Sequence, residues 1–439
     1  MEKKNGVSSS VVLEDKILRS PRCAIEIPEI SLPELIYSSL KEHEDRPVLD
    51  ILVFGKTDGC ISFAELLEDD GCAYTGPPKI NPRETPLVIA FSSGTTGTPK
   101  AIVHTHYSVL AIYYQGNQPT VLQYLPDDVL LGIYPFSHIG GFLFVLNILI
   151  NGVRLVIVPS YDLNLHLEEI QKHKVTIIGG SVVTLYTLLH NPKVREYDIT
   201  SIREIITGGS PLNREANEQV AMTAFPFLRG VRQFYGLSEA LFVSCVEKGK
   251  IIPNSVGTLV ASTELKVVDV NTGVTLGPGH DGELFIRGPQ LMKGYLKNSV
   301  ITPEAFTPDG WYATGDYGHY DTEGNLYITD RLKEMIKTGF HQVSPSEIES
   351  TLCKHPDVED AAVVGVPDSE LGEIPRGFVV LKPGNHVSQE TLKQFVSGYL
   401  PPYKRLTGGV EIVDKIPRSE FGKIQRKIMK ERFIQQRKT

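Results

Sequence analysis

The sequence predicts an α/β fold: a large amino-terminal domain of parallel αβ sheets with a small β-barrel-like part, followed by a small α+β carboxyl-terminal domain. Three patterns carry this reading. From 86 to about 330, short apolar runs alternate with helical stretches, which implies βαβ units and a parallel sheet. Beyond 255, short strands joined by N-T-G and H-D-G turns take over, as in antiparallel sheets. From 331 a fresh set of helices and strands begins. The expected division is a disordered lead over 1–23, a large domain over 24–330 and a small domain over 331–439.

In chain order, L-P-E-L-I-Y-S-S-L-K-E-H-E (32–44) spaces Leu35, Ile36 and Leu40 as an amphipathic helix. P-L-V-I-A (86–90) is β-prone and is expected as a buried strand. Further strands are V-L-L-G-I-Y (129–134), R-L-V-I-V (154–158), V-T-I-I-G-G (175–180) and R-E-I-I-T-G-G (203–209), with a helix at 165–173 between them. In such sheets ligands bind beyond the carboxyl ends of the strands, where the glycine pairs of the last two runs fall. V-G-T-L-V…E-L-K-V-V-D (256–269) and G-E-L-F-I-R-G (282–288) read as antiparallel strands. The small domain offers helices at 345–354 and 388–399 and strands at 361–366, 377–381 and 410–413.

The 439 residues suffice for roughly three domains. A hydrophobic content of 41% with 22% charged residues is that of an ordinary globular chain, and a net charge of -8 argues against a general nucleic-acid binder. Cys23, Cys60, Cys72, Cys245 and Cys353 show no C-x-x-C pairing, which suits a reducing compartment and gives no metal site. The amino terminus lacks the apolar core of a signal peptide. The longest apolar run, F-L-F-V-L-N-I-L-I (142–150), is too short to cross a bilayer. An intracellular, cytoplasmic protein is expected, a peroxisomal location being the alternative although the terminal R-K-T does not match S-K-L.

The stretch F-S-S-G-T-T-G-T-P-K (91–100) is the most specific short signal. Glycines let backbone N–H groups approach a ligand, hydroxyls add donors and Lys100 adds a point charge, a composition suited to a polyphosphate. The Walker A pattern does not fit, because Pro99 precedes the lysine and Ala101 follows it. A mobile Ser/Gly/Thr surface loop is the plain alternative.

Five further stretches follow in order: F-S-H-I-G-G (136–141), R-Q-F-Y-G-L-S-E (232–239), Y-A-T-G-D (312–316), D-R-L-K-E-M-I-K-T-G-F (330–340) and I-P-R-S-E-F-G-K-I-Q-R (416–426). Together they resemble the adenylate-forming superfamily of acyl-CoA synthetases, beetle luciferases and peptide-synthetase adenylation domains. P-P-Y-K-R-L-T-G-G-V-E-I-V-D (401–414) is most similar to the 4-coumarate-CoA ligase and luciferase branch. The resemblance implies an ATP-dependent acyl-CoA ligase that adenylates an aromatic or fatty carboxylate and transfers the acyl group to CoA, with Mg2+ as the metal. Its partners would be small molecules, with no nucleic acid and no membrane span; the oligomeric state is left open.

Residue by residue, the resemblance gives Ser92, Ser93, Gly94, Thr95, Thr96 and Lys100 to the phosphate loop, and Thr96 and Glu239 to the metal. It gives Gly209, Ser210, Pro211, Gln233, Phe234 and Tyr235 to the adenine walls, Gly236 and Ser238 to cofactor binding, and Asp316 and Arg331 to ribose or phosphate. Lys423 is the mobile catalytic lysine and His138 the histidine gating the acyl tunnel, with Tyr134, Phe136 and Gly236 on the same wall. Lys333 is the hinge of a mobile small domain whose thioester face carries Lys337 and Gly339. Taken alone, each has a plainer reading: Asp316 a turn residue, Tyr-Gly-Leu-Ser-Glu a turn and helix cap, Lys423 a solvated charge, His138 a satisfied turn group.

Two departures stand out. Only Thr338 separates Lys337 from Gly339, and His341 is extra before Gln342. The long stretch that normally lies between segments like 24–50 and 59–75 is missing, near 50–58, which would leave neighbouring apolar faces uncovered. The alternative to a working ligase is therefore a shortened, inactive or binding-only isoform, and a luciferase-like monooxygenase is a third reading.

Overall fold

The computed structural model describes residues 13–42, 79–92, 100–133, 138–158, 162–181, 192–209, 228, 231–250, 252, 254–296, 304–339, 341–418 and 424–436. Strands β1 (Leu13–Glu14) and β2 (Ile17–Arg19) form a hairpin. Residues 13–19 were expected within a disordered lead. Instead Leu18, only 1% exposed, lies in a hydrophobic core, and β2 joins a sheet built 245 residues later. One buried leucine and a strand edge outweigh the polar composition around them. Helix α1 (Leu32–Glu42) follows.

Strand β3 (Pro86–Ser92) runs antiparallel to β4 (Lys100–Thr105), with Ser92 opposite Lys100. The segment 93–99 therefore links the two strands of one hairpin. The strand before that segment was expected to be buried. It is an edge strand of a small separate sheet, with Ile89 42% and Phe91 68% exposed. Alternation of side chains along a strand (period 2) puts both on the same uncovered face.

After helix α2 (His106–Gly116) come β5 (Val129–Gly132), helix α3 (Ile139–Ile150), β6 (Arg154–Ile157), helix α4 (Leu163–His173), β7 (Ile177–Ser181), β8 (Glu204–Gly208) and β9 (Val231–Tyr235). Strands β6-β5-β7-β8-β9 pair in parallel in that order, as the alternating pattern predicts. β8 is buried along its whole length, the mark of a strand covered on both faces. The short β10 (Ser244–Cys245) and β11 (Thr258–Leu259) extend this sheet antiparallel.

Strands β12 (Glu264–Val268), β13 (Thr275–Leu276), β14 (Gly282–Arg287), β15 (Gly294–Tyr295), β16 (Tyr312–Tyr320) and β17 (Leu326–Arg331) complete the large part. The antiparallel path β1-β2-β12-β14-β16-β17 is an open sheet among the described residues, so the part expected to be barrel-like does not close. β15 pairs with β4 instead, making the sheet β15-β4-β3.

The last sheet holds β18 (Ile336–Thr338), β19 (His341–Val343), β20 (Val358–Asp368), β21 (Gly372–Leu381) and β22 (Val410–Ile412), all antiparallel except β22 on β21. Helices α5 (Pro345–Cys353), α6 (Gln389–Tyr399) and α7 (Arg426–Gln436) accompany it. Ser344 caps α5, accepting from the Glu347 N–H, while its hydroxyl donates to Asp330 at 2.8 Å. That contact joins the end of β17 to the start of the last α+β unit.

Candidate functional site

Strand β16 buries every second residue: Tyr312, Thr314, Asp316, Gly318 and Tyr320 point inward. The same period that buries two tyrosines buries the Asp316 carboxylate, which is only 2% exposed. An unpaired carboxylate there would be costly, so its partners define the place. Arg331, directly opposite on β17, puts Nε 2.6 Å from Oδ1. The Tyr235 hydroxyl, at the end of β9, donates to Oδ2. Burial, then the Asp316 charge, pushes the Tyr235 phenol well above its ordinary range, so it remains a donor. A carboxylate offers several lone-pair positions, the kind of acceptor that a ligand hydroxyl needs.

The carboxyl ends of β8 and β9 lie next to one another, with Gly208 opposite Phe234. A Cβ on Gly208 would come within 2.6 Å of the Phe234 ring, so only glycine allows that ring to lie against the strand. Gly209 follows with φ of +82°, turning the chain away from β8. Gly236 is equally constrained: a Cβ there would sit 1.9 Å from the Leu241 carbonyl oxygen. Gln233 and Phe234 are half-buried. The result is a flat aromatic wall at the carboxyl edge of a parallel sheet, joined through Tyr235 to Asp316.

Beyond Gly236 the chain makes a single turn that carries Glu239. Its Oε1 accepts from the Tyr295 hydroxyl at 3.0 Å, and its backbone carbonyl from the Met292 N–H at 2.8 Å. Its Oε2 has no hydrogen bond or ion pair among the described residues. The Lys100 ammonium lies 5.0 Å from the centre of the Tyr295 ring, so one tyrosine touches both a cation and a carboxylate. Burial, then Glu239, pushes the Tyr295 phenol up to about 12. Tyr312, hydrogen-bonded to Tyr295, is raised further by burial and then by Glu239. Lys333 is exposed as a residue, yet partial burial of its ammonium and then Arg331 lower its pKa.

The structure thus brings together Lys100, Tyr235, Glu239, Asp316 and Arg331, and sets Gly209, Gln233, Phe234 and Gly236 along one strand end. Ser238 contributes its carbonyl, which accepts from an imidazole on β4. His138 is the N-cap of α3, its Nδ1 accepting from the Gly140 N–H at 3.0 Å. Lys337 is exposed in the middle of β18. Ser92 ends β3. Ser93, Gly94, Thr95, Thr96, Tyr134, Phe136, Ser210, Pro211 and Lys423, and the stretch near 50–58, lie outside the described residues. The sequence reading set the Gly208–Gly209 pair at the ligand-binding strand end without giving Gly208 a role of its own, and it missed Tyr295. Tyr295 sits on a strand of two residues, 56 positions from its carboxylate partner, and carries no local signal.

Comparison with known proteins bears on this arrangement. The AMP-binding enzyme family model matches residues 20–296, and the AMP-binding enzyme C-terminal domain model matches 347–423. The chain is 35% identical over 385 residues to 4-coumarate–CoA ligase 4 of Arabidopsis thaliana, covering 86% of this chain and 66% of that protein. It is 37% identical over 356 residues to luciferin 4-monooxygenase of Nipponoluciola cruciata, covering 80% of this chain and 64% of that protein. It therefore spans about two thirds of the length of these relatives. The ATP-bound crystal structure of MatB from Rhodopseudomonas palustris is similar with a TM-score of 0.73 and 27% identity, over 79% of this chain and 67% of that one.

Proposed function

The chain belongs to the AMP-binding enzyme family, within the adenylate-forming superfamily, and from that premise we propose that it is an acid–thiol ligase that adenylates an aromatic or fatty carboxylate and passes the acyl group to CoA. In the first step a carboxylate oxygen bonds to the α-phosphorus of ATP and pyrophosphate leaves. In the second the CoA sulfur bonds to the acyl carbon, the thiol proton is lost and AMP leaves. The observation that carries this reading is the buried Asp316 carboxylate, held by Tyr235 and Arg331 at the edge of the Gly208–Phe234 wall. An aromatic face beside a carboxylate suits a nucleoside, base against ring and ribose hydroxyls on the acid.

In this reading Lys100, with Ser92, Ser93, Gly94, Thr95 and Thr96, holds the departing pyrophosphate, where preorganised donors act on developing charge. Gly209, Ser210, Pro211, Gln233, Phe234 and Tyr235 enclose adenine, with Gly236 and Ser238 beside the nucleotide. Lys423 offsets the repulsion between the carboxylate and the α-phosphate, His138 lines the acyl entrance, and Lys333 and Lys337 belong to the reorientation of residues 331–439 between the two steps.

Magnesium fits as a guest of the nucleotide rather than of a protein cage. Among the described residues no three His, Cys, Asp or Glu side chains cluster to hold a metal. Glu239 has one oxygen engaged by Tyr295 and one without a partner among the described residues. One carboxylate with substrate phosphates and waters is a usual set for this ion, which would supply charge neutralisation there.

The test is exchange of labelled pyrophosphate into ATP by the purified full chain, across aromatic and fatty carboxylates, followed by CoA-dependent release of AMP. Exchange with one acid class and a thioester product support the ligase. No exchange with any acid favours an inactive or binding-only isoform. The likeness to luciferin 4-monooxygenase keeps a second reading, for which the measurement is light emission with luciferin.

A further inference from the structure

We propose that His104 is a positioning residue that fixes Glu239 relative to Lys100 and so sets the metal-dependent part of nucleotide binding; this deepens the reading of the site as an ATP site and rests on it. His104 lies on β4, fully buried, on the same side of the strand as Ile102, which belongs to the core that also contains Tyr235, Leu237, Ala240 and Tyr295. An aliphatic side chain would meet the demand for burial there. An imidazole does so only if its two nitrogens find partners.

Both do. Nε2 lies 2.8 Å from the Ser238 carbonyl oxygen, and Nδ1 lies 3.3 Å from the Ser108 hydroxyl. A carbonyl can only accept, so the ring proton sits on Nε2 and His104 donates to Ser238. Burial lowers the imidazole to about 4, against a weaker upward pull from the Ser238 bond, so the ring stays neutral near pH 7. The hydrogen bond is therefore present across the ordinary working range.

Its consequence lies one residue further on. Ser238 precedes Glu239 in the turn from Leu237 to Ala240, where the Ala240 N–H meets the Leu237 carbonyl at 3.1 Å. Glu239 is held from the β15 side by Tyr295 on its carboxylate and by the Met292 N–H on its carbonyl. His104 adds the third anchor, from β4, the strand that begins at Lys100. β15 itself is bonded to β4, with Tyr295 opposite Ile102. Turn, β15 and β4 are thus stitched into one body, in which the Lys100 cation and the Glu239 carboxylate flank Tyr295. Without the imidazole the turn keeps its internal Leu237 hydrogen bonds and the β15 anchors but loses its tie to β4, and the carboxylate is less firmly fixed relative to the ammonium. A loosened carboxylate penalises the metal-bridged nucleotide more than the nucleotide alone.

The experiment measures ATP affinity by calorimetry on the full chain, once with Mg2+ and once with EDTA. His104→Leu keeps the apolar volume and removes the donor. His104→Gln places an amide N–H close to where Nε2 stood. The expected result is that His104→Leu loses about tenfold of the affinity gained from Mg2+, the order of one hydrogen bond, while affinity in EDTA is unchanged. His104→Gln restores the gain, and Tyr295→Phe, which removes another Glu239 anchor, also reduces it. Should His104→Leu not fold by circular dichroism, His104→Asn, too short to reach Ser238, replaces it against the same glutamine variant. A Mg2+ gain equal to wild type in the donor-less variant overturns the positioning role, as does an equal loss in both buffers or a failure of glutamine to restore. Wild-type protein that binds no ATP in either buffer overturns the ATP reading and this inference with it.

Discussion

Asp316 and His104 are both polar groups on core-facing positions of strands, each held there by specific partners. Asp316 is held by a guanidinium and a phenol; replacing it with alanine leaves Arg331 without this carboxylate and removes the acceptor proposed for ribose. Asp316→Ala is expected to weaken ATP binding about 10- to 100-fold, as for charge-assisted hydrogen bonds, and equilibrium dialysis reads it. Unchanged affinity would take Asp316 out of the site. For His104 the folded value of about 4 lies below the ordinary 6.5. Between those values the unfolded chain binds the extra proton, so this stabilisation is whole above 6.5 and is lost as pH falls toward 4. At pH 5 wild type should have lost about 2 kcal/mol more than His104→Gln, relative to pH 7.5, in chemical denaturation. Equal pH slopes would contradict a buried neutral ring. Asp316 was named only because Y-A-T-G-D stands in a series of motifs that together resemble one family; His104 was not named, because its partner lies 134 residues away.

Elements with strong local periodicity were legible and those made by distant pairing were not. Strands β5 to β8, α4, α5 and α6 fall within a residue or two of expectation, since burial on both faces or on one helical stripe writes itself into composition, whereas β9 was not expected as a strand. β4 and β15 escaped: K-A-I-V-H-T has weak alternation, and β15 is two residues long. Capping is a local device that can be tested locally. Ser344 both caps α5 and bonds Asp330, so Ser344→Ala should cost about 1–2 kcal/mol in a denaturant melt. A cost near zero would mean that the join between β17 and α5 contributes nothing to stability.

At the scale of the molecule, two predictions concern what the chain does as a whole. If residues 331–439 reorient between two steps, Lys423→Ala should lower adenylate formation about 100-fold or more while thioester formation from supplied acyl-adenylate stays within a few-fold. Equal losses in both half-reactions would remove Lys423 from the first step. The sequence reading expects uncovered apolar faces where a stretch is missing near 50–58, and β3 offers a face on which that expectation can be tested. Ile89 and Phe91 stand exposed on an edge strand, a known route to association. Phe91→Lys should reduce concentration-dependent light scattering; no reduction would mean that this edge is not the sticky surface.

The pairing of β2 with β12 also has a consequence in time. Residues 17–19 leave the ribosome long before 264 and 265 are made, and at about 5–20 residues per second the wait is on the order of ten to fifty seconds. Throughout it Leu18 has nowhere to hide, so the nascent amino terminus is a natural client for chaperones, and slowing translation upstream of residue 264 should lengthen that dependence.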